Sequence, residues 1–315
     1  MNIKTVLWFI IFLGIGPVHA QTVKEYNVQG LSSLKAGRLG EAAAAFSKAI
    51  EADHTNEAAY TNRGLVFARM GDFTNAISDT SQAIEIDPKN FRAYANRGQF
   101  YAQQGNIKAA LSDYDQAIKI NPSYALAYND RGSAYYLLKD WTKAFADFTR
   151  AIDMDPNNAP SYNDRGIIFY MNGKIKEAIS DYTKAIEIKP DDAAAYANRG
   201  NAYAKLENWG QALQDYNKAI EIHPKTVFFY RDRGLAYLHN KDLSGAELDF
   251  TKAIALNPQY ATAYSFRAVV YFQLRKYDAA LADAQKAKSL GGNINADFMA
   301  ALLKAAGNQI KHPSL

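Results

Sequence analysis

Histidine and acidic side chains are the groups in this chain that could perform chemistry, and their spacing predicts no active site. The histidines could bind zinc, but none has a partner at the spacing that places two ligands on one helix face. Two acidic pairs could begin a calcium loop, but the remaining loop positions do not match, so we expect these pairs to be solvated helix caps. The histidines are His19, His54, His223, His239 and His312, and the acidic pairs are Asp113 with Asp115 and Asp191 with Asp192.

The motifs of nucleophilic and phosphate-binding enzymes are missing from the sequence as well. There is no cysteine, which excludes disulfides, thiolate metal centres and cysteine nucleophiles. There is no Gly-x-Ser-x-Gly turn and no Gly-Lys-Ser/Thr phosphate loop, and the one Gly-x-Gly lies at Gly14 and Gly16 in an apolar segment. The sequence predicts a protein that is not an enzyme and that needs neither a cofactor nor a metal.

The composition is that of a folded protein with little net charge. Of the 315 residues, 48% are hydrophobic and 22% are charged, and the formal net charge at neutral pH is +4. That charge is too small and too evenly spread to indicate a nucleic-acid binder. We expect a protein or peptide partner, and contact with a membrane only through such a partner.

The first twenty residues have the pattern of a secretory signal peptide. Lys4 supplies a positive charge, the stretch from Thr5 to Gly16 is apolar, and Val18 and Ala20 are the small residues typical of a cleavage site. An uncleaved membrane anchor is the alternative, but the stretch is shorter than the roughly 20 residues of a bilayer span. We expect residues 1–20 to be removed, leaving a short mature N-terminus at 21–22. The mature protein is expected in the periplasm, with an extracellular location as the alternative.

The rest of the chain repeats itself every 34 residues. A glycine marks each period, a tyrosine lies four positions before it, and alanines follow at fixed distances. Small residues let two helices approach closely, and a proline at the end of six periods can end a helix. Each period therefore predicts one helical hairpin. The glycines are Gly30, Gly64, Gly98, Gly132, Gly166, Gly200 and Gly234, with Ala268 in the next place, and the turns carry Gly37, Gly71, Gly105 and Gly173 or, in other repeats, Lys139, Glu207 and Lys241.

This spacing resembles the tetratricopeptide repeat (TPR), a 34-residue helix-turn-helix unit, over residues 23–294. The resemblance implies an all-α, right-handed superhelical solenoid with a concave inner surface. Residues 295–307 predict a capping helix, because Phe298, Leu302 and Leu303 follow a helical spacing, and residues 308–315 are expected to be a tail. The eight repeats begin at residues 23, 57, 91, 125, 159, 193, 227 and 261.

An arginine at position 7 of the repeat departs from the leucine that is usual in the family. It occurs in seven successive repeats, and each of them has an aspartate sixteen residues later. The first repeat lacks both residues, since it has Gln29 and Ala45. We expect an ion pair that sets the register of the helices, with a row of arginines facing an anionic ligand as the alternative. The pairs run from Arg63 with Asp79 to Arg267 with Asp283.

In the TPR family the first helix of each repeat lines the concave face with its positions 2, 5, 6 and 9. In this chain those positions vary and are rich in asparagine and aspartate, which could hydrogen-bond the backbone of an extended peptide. A hydrated groove without a ligand is the alternative. The clamp with which some family members hold a terminal carboxylate does not match, because Leu65 and Asn96 occupy two of its places. The candidate partner-binding residues are Arg92, Asn96, Asn129, Asp130, Asn163, Asp164, Asn198, Asn201, Arg231 and Asp232.

Together these features predict a non-catalytic interaction scaffold of the cell envelope that binds a peptide or a partner protein through its concave face. The alternative is a structural subunit of an envelope assembly or export machine, serving polysaccharide export, pilus biogenesis or outer-membrane biogenesis. A carbohydrate-binding protein is a further alternative, because the 21 tyrosines could supply stacking platforms, although most lie on repeating packing positions.

Overall fold

The computed structural model describes residues 16–311, with side chains from 22 to 307. Seventeen α-helices and no strand occur in that range, which confirms an all-α repeat solenoid. The helices are α1 (Gly16–Lys35), α2 (Leu39–Ala52), α3 (Glu57–Arg69), α4 (Phe73–Ile86), α5 (Phe91–Gln103), α6 (Ile107–Ile120), α7 (Ala125–Leu137), α8 (Trp141–Met154), α9 (Ala159–Met171), α10 (Ile175–Ile188), α11 (Ala193–Lys205), α12 (Trp209–Ile222), α13 (Val227–His239), α14 (Leu243–Leu256), α15 (Ala261–Gln273), α16 (Tyr277–Ser289) and α17 (Ala296–Lys311).

The chain forms two compact bodies, Met1–Pro156 and Asn157–Leu315. The N-terminal body contains α1–α8, which are the helices of repeats 1–4, and the C-terminal body contains α9–α17, which are repeats 5–8 and one further helix. Within each body the two helices of a repeat pack against each other, and the second helix also packs against the first helix of the next repeat. Each period is therefore a helical hairpin, as the sequence predicts.

The ends of the array differ from the expected boundaries. Helix α1 begins at Gly16 and runs through the expected cleavage site, so residues 21–22 are part of a helix rather than a separate N-terminal segment. The remainder of the expected signal peptide, residues 1–15, lies outside the described residues. At the other end α17 extends to Lys311, so the prediction of a tail is wrong for residues 308–311, while residues 312–315 lie outside the described range.

Helix α17 packs on the last repeat as the capping prediction requires. Asn295 accepts hydrogen bonds from the backbone of the first turn, Leu302 is fully buried, and the ring of Phe298 contacts that of Phe272 at 5.5 Å. Leu303, which follows the same helical spacing, stays 52% exposed and adds little to this packing. Only one stripe of this helix is apolar enough to be covered by the preceding repeat.

In repeats 1 and 3–7 the marker glycine lies directly beneath an aromatic ring of the second helix, and in repeat 2 Gly64 lies beneath the smaller Thr80. A Cβ atom at Gly98 would lie 2.7 Å from Cε1 of Tyr114, and a Cβ atom at Gly234 would lie 2.8 Å from Cε1 of Phe250. A ring therefore fits only where the first helix has no side chain. In repeat 8 both partners change together, because Ala268 replaces the glycine and Ala284 replaces the ring.

The turn between the two helices of a repeat needs one residue in the left-handed conformation. Glycines supply it in repeats 1, 2, 3 and 5, at φ values such as +83° for Gly71, whereas Lys139, Glu207 and Lys241 adopt φ values of 61°, 57° and 63°. The sequence predicts these three lysine and glutamate turns, and Arg275 at φ 59° adds a fourth. Left-handed backbone at a residue with a Cβ atom costs about 1 kcal/mol, which the packed helices on either side must offset.

The predicted arginine–aspartate pairs form in all seven repeats that carry them. Each guanidinium donates from Nε and Nη2 to the two carboxylate oxygens at 2.7–2.9 Å, and the pairs are largely withdrawn from solvent. The hydrogen bonds that Arg97 donates to Asp113 raise the pKa of Arg97 above its ordinary value, which keeps the cation charged despite its burial. The pair ties the first helix of a repeat to the second.

The same arginines also bridge to the preceding repeat. In Arg63, Arg199 and Arg267 the third nitrogen, Nη1, donates to a hydroxyl oxygen on the second helix of the repeat before. Asp115 accepts this bond from Arg131, so Asp113 and Asp115 are both ion-pair partners, and the expectation that they are helix caps is wrong. The acceptors described are Ser47, Ser81, Asp115, Thr183, Asn217 and Thr251.

Asparagine and aspartate side chains instead cap helices in the loops between them. Asp192, from the other predicted acidic pair, accepts hydrogen bonds from the backbone N–H groups of Ala194 and Ala195 at the start of α11. This confirms the cap prediction for Asp192. Such caps satisfy backbone donors that the first turn leaves without partners.

Candidate interaction surface

Two first helices of the C-terminal body, α9 and α11, carry a connected polar network. Asn198 donates from Nδ2 to Oδ1 of Asn163 at 2.9 Å, and Asn163 donates from Nδ2 to Oδ1 of Asp164 at 3.1 Å. The structure thus brings together three of the residues that the sequence singles out. Each asparagine keeps one amide hydrogen and Asn198 keeps its carbonyl oxygen, which are the groups that pair with a peptide backbone.

Asp164 is the carboxyl group of this network, and its pKa is strongly raised. Burial raises the pKa of Asp164 to about 6 and the negative charge of Asp192 adds to the effect, whereas the hydrogen bond from Asn163 opposes it. A carboxylate that is largely desolvated and bonded only to a neutral amide gains from a donor brought by a ligand. This property distinguishes Asp164 from the aspartates that are paired with arginine.

A second cluster surrounds Arg231 and Asp232 on α13. Arg231 donates from Nε to Oδ1 of Asp232 at 2.7 Å and from Nη1 to the hydroxyl oxygen of Tyr260 at 3.1 Å. Its guanidinium carbon lies 5.1 Å from the ring centre of Phe228, which is 55% exposed. Burial raises the pKa of Asp232, and the bond from Arg231 opposes that rise. The arginine is therefore held rigidly beside an exposed aromatic ring.

Asn201 belongs to a different set of contacts from Asn163 and Asn198. The hydroxyl of Tyr216 donates to Oδ1 of Asn201 at 2.7 Å, and both residues line a pocket of about 260 Å³ between α11 and α13. Asp232 lines the same pocket. The C-terminal body thus holds two separate polar sites, one around Asn163 and one around Asn201.

In the N-terminal body Arg92 and Asn96 line one groove of about 660 Å³ between α3 and α5. Arg92 is exposed and its guanidinium carbon lies 5.5 Å from the centre of the Phe91 ring, which packs edge-on against Tyr124 at 4.8 Å. Glu57 accepts a hydrogen bond from Asn90 at the floor of this groove. The groove therefore combines a cation, amides and two aromatic rings.

Asn129 and Asp130 are half-buried on α7 of the N-terminal body. Burial raises the pKa of Tyr124, and the negative charge of Asp130 raises it further, which places Asp130 beside the groove that Arg92 lines. The pKa of Tyr114 is raised by the same two causes. All ten predicted residues thus lie on first helices, in positions that are exposed or half-buried.

Sequence reasoning missed the aromatic residues of these sites. Trp209 stacks on His239 with ring centres 4.8 Å apart and planes 4° apart, beside the pocket that Asn201 lines. Phe228 and Tyr260 form an edge-on pair at 5.9 Å. One signal was available, since Ala204 stands where other repeats have Tyr136, Tyr170 or Phe272, and this small residue opens the pocket.

Neither a grouped set of metal ligands nor a membrane-spanning helix occurs in the part of the chain that the structure describes. Over residues 16–311 no three histidine, aspartate or glutamate side chains are grouped so that they could hold a metal ion. In the same range no helix combines the length and apolar character needed to span a bilayer.

Comparison with protein-family models shows that the chain belongs to the tetratricopeptide repeat family. Models described as "TPR repeat" match residues 30–71, 98–139 and 168–207, and models described as "Tetratricopeptide repeat" match 57–90, 81–112, 125–158, 148–180, 193–226 and 231–293. Together they cover most of the chain. A comparison with curated protein sequences gave no significant match.

Solved structures support the fold alone, because their sequence identities are low. A tetratricopeptide repeat protein from Parabacteroides merdae is 23% identical, with a TM-score of 0.59, over 79% of this chain and 99% of that one. Pseudomonas aeruginosa PilF is 17% identical, with a TM-score of 0.61, over 71% and 98%. A chain of the Cut9–Hcn1 hetero-tetramer of the APC/C is 18% identical, with a TM-score of 0.68, and the match covers 78% of this chain and 48% of that one.

The class of protein follows from family and fold together. A tetratricopeptide repeat array is typically a non-catalytic scaffold for protein–protein interaction, and the family models reported for this chain all describe this repeat. Fold similarity does not identify a ligand, which must come from particular side chains.

Proposed function

We propose that this protein is an interaction scaffold of the cell envelope that binds a peptide or a partner protein through the first helices of its repeats. The observation that carries the proposal is the amide network of Asn163 and Asn198, which repeats one side-chain type across two neighbouring helices. Amides so arranged can pair with successive peptide groups of an extended chain, giving affinity with modest dependence on sequence.

Charge distribution supports a polypeptide ligand over a polyanion. The inner positions of the C-terminal body hold Asp164, together with Asp232 and Arg231 as a closed pair. A phosphate backbone would meet no free row of cations there, since Arg199 and Arg233 are bound to aspartates. A peptide needs only donors and acceptors, which this surface presents.

Affinity capture with two charge-neutral variants tests this proposal. The inner-face variant Asn163→Ala/Asn198→Ala removes the amides, and the control Lys184→Ala/Glu187→Ala removes an exposed ion pair on α10. We expect a partner that is retained by wild type and control and lost by the inner-face variant. A partner retained equally by all three would place binding on the outer helices and contradict the proposal.

The envelope location rests on the leader-like residues 1–20 and has its own test. We expect N-terminal sequencing of the protein from fractionated cells to begin at Gln21 and to find it outside the cytoplasm. Recovery of the protein from the cytoplasm with Met1 or Asn2 at its start would contradict this part of the proposal.

A further inference from the structure

A small pocket in the C-terminal body has walls and a floor of different chemistry. It lies between α11 and α13, and Trp209, Leu235 and Ala204 form apolar walls. The indole of Trp209 is fixed by its stack on His239, and the exposed Lys205 lies at the rim. A volume of about 260 Å³ is below the roughly 300–1,000 Å³ of pockets for drug-sized ligands, so the space suits one side chain.

Asn201 and Asp232, which we call the floor, are two of the polar residues that line this pocket, and Tyr170, Tyr216 and His239 line it as well. Asn201 uses Oδ1 to accept from the Tyr216 hydroxyl at 2.7 Å, and Asp232 uses Oδ1 to accept from Nε of Arg231 at 2.7 Å. Among the described residues, Nδ2 of Asn201 and Oδ2 of Asp232 have no hydrogen-bond partner. The floor therefore offers one donor and one acceptor.

That combination selects a neutral group that both donates and accepts. An ammonium group only donates, so Nδ2 of Asn201 would face a cation, and a carboxylate would be repelled by Asp232. A hydroxyl satisfies both floor groups, because it donates to the carboxylate and accepts from the amide. The apolar walls require that this hydroxyl be carried by a flat, apolar body.

We propose that the pocket receives a single tyrosine side chain of the partner, with its ring against Trp209 and Leu235. The phenol hydroxyl donates to Oδ2 of Asp232 and accepts from Nδ2 of Asn201. This inference deepens the proposed function, on which it rests for the claim that the tyrosine belongs to a protein.

The structure offers a blocking variant and a matched control. Ala204→Leu fills the pocket with the residue that repeat 7 has at the same position, Leu238, and Ala102→Leu makes the same change at that position of repeat 3. Because leucine is native at this position, both variants are expected to keep the helical signal of wild type. Any difference in binding then reports on the pocket.

The test is a titration of the full chain with N-acetyl-tyrosinamide, followed by the NMR signal of the Trp209 indole N–H. We expect a saturable shift for wild type and for Ala102→Leu, no shift for Ala204→Leu, and about tenfold weaker binding of N-acetyl-phenylalaninamide, which lacks the hydroxyl. A methyl glucoside serves as the sugar probe and is expected to leave the signal unchanged.

Three results would overturn the inference. They are equal shifts in Ala204→Leu and wild type, equal affinities for the tyrosine and phenylalanine probes, and a shift caused by the glucoside alone. The probe needs no protein partner, so binding here is separable from the capture experiment. A partner captured through Asn163 with no tyrosine binding at Trp209 would leave the proposed function standing and remove this inference.

Discussion

The ion pair between Arg199 and Asp215 gives the sharpest prediction about how the array is held together. Its two hydrogen bonds are both 2.8 Å long, a third joins the guanidinium to Thr183, and the two side chains are 18% and 7% exposed. Leucine is the residue usual at the arginine position in this family, so Arg199→Leu should fit sterically. The change leaves the Asp215 carboxylate buried without its cation.

The magnitude follows from what each variant leaves behind. Removing one partner of a buried pair costs about 3–5 kcal/mol, and the partial exposure of Arg199 places the expected loss near 3 kcal/mol. Asp215→Leu leaves an arginine that still bonds Thr183, so we expect a loss of about 2 kcal/mol. The double variant leaves no unpaired charge, and we expect a total loss of about 2 kcal/mol rather than the additive value of about 5.

The assay is urea unfolding of the four proteins in a Trp8→Phe/Trp141→Phe background, which leaves Trp209 as the one fluorescent tryptophan, followed by circular dichroism and by fluorescence. A repeat array can unfold in stages, so the fluorescence of Trp209 on α12 reports the neighbourhood of the pair while the dichroism reports all helices. A double-variant loss equal to the sum of the single losses would refute the reasoning. It would show that each side chain acts alone and that the pair does not hold the two helices together.

Three further predictions concern the turns, the core and the network. Lys139→Gly should raise the free energy of unfolding by about 0.5–1 kcal/mol in urea, because glycine removes the strain of φ 61°, and Lys139→Ala should bring no gain. Gly166→Ala should lower the free energy of unfolding by about 1–3 kcal/mol, measured as a lower midpoint of thermal unfolding, because its Cβ would lie 2.7 Å from Tyr182. The control Gly210→Ala meets no atom within 4 Å and should be neutral or stabilising. In the native protein Asp164 has a pKa of about 6 and holds a proton that it releases near pH 4 in the unfolded chain. Through this group the free energy of unfolding should therefore fall by at most about 3 kcal/mol between pH 4 and 7. Asp164→Asn should remove that fall, and an unchanged pH dependence in the variant would contradict the assignment.

Strict periodicity made the fold predictable from sequence. The glycine at position 8 and the ring sixteen residues later, as in Gly98 and Tyr114, constrain each other sterically, so one pattern repeats wherever the hairpin repeats. The arginine–aspartate pairs were predictable for the same reason, because both members change together in the first repeat. Boundaries outside the period, such as the extension of α17 to Lys311, were less predictable because no repeated contact specifies them.

The candidate site was only partly predictable. Position within the repeat placed Asn163, Asn198 and Asn201 on first helices, but the pattern could not say that the first two bond each other while Asn201 bonds Tyr216. Those choices depend on side-chain directions and on the size of neighbours such as Ala204, which vary between repeats. Recognition therefore resides in the features that the repeat does not fix.

Site-specific photo-cross-linking tests most directly the claim that partners bind to the first helices. A photoreactive phenylalanine derivative would replace Asn163 on α9 or, for comparison, Lys184 on the exposed side of α10, in cells that produce the full chain. We predict a discrete cross-linked partner from position 163 and none from position 184. A partner cross-linked from position 184 alone would contradict the account.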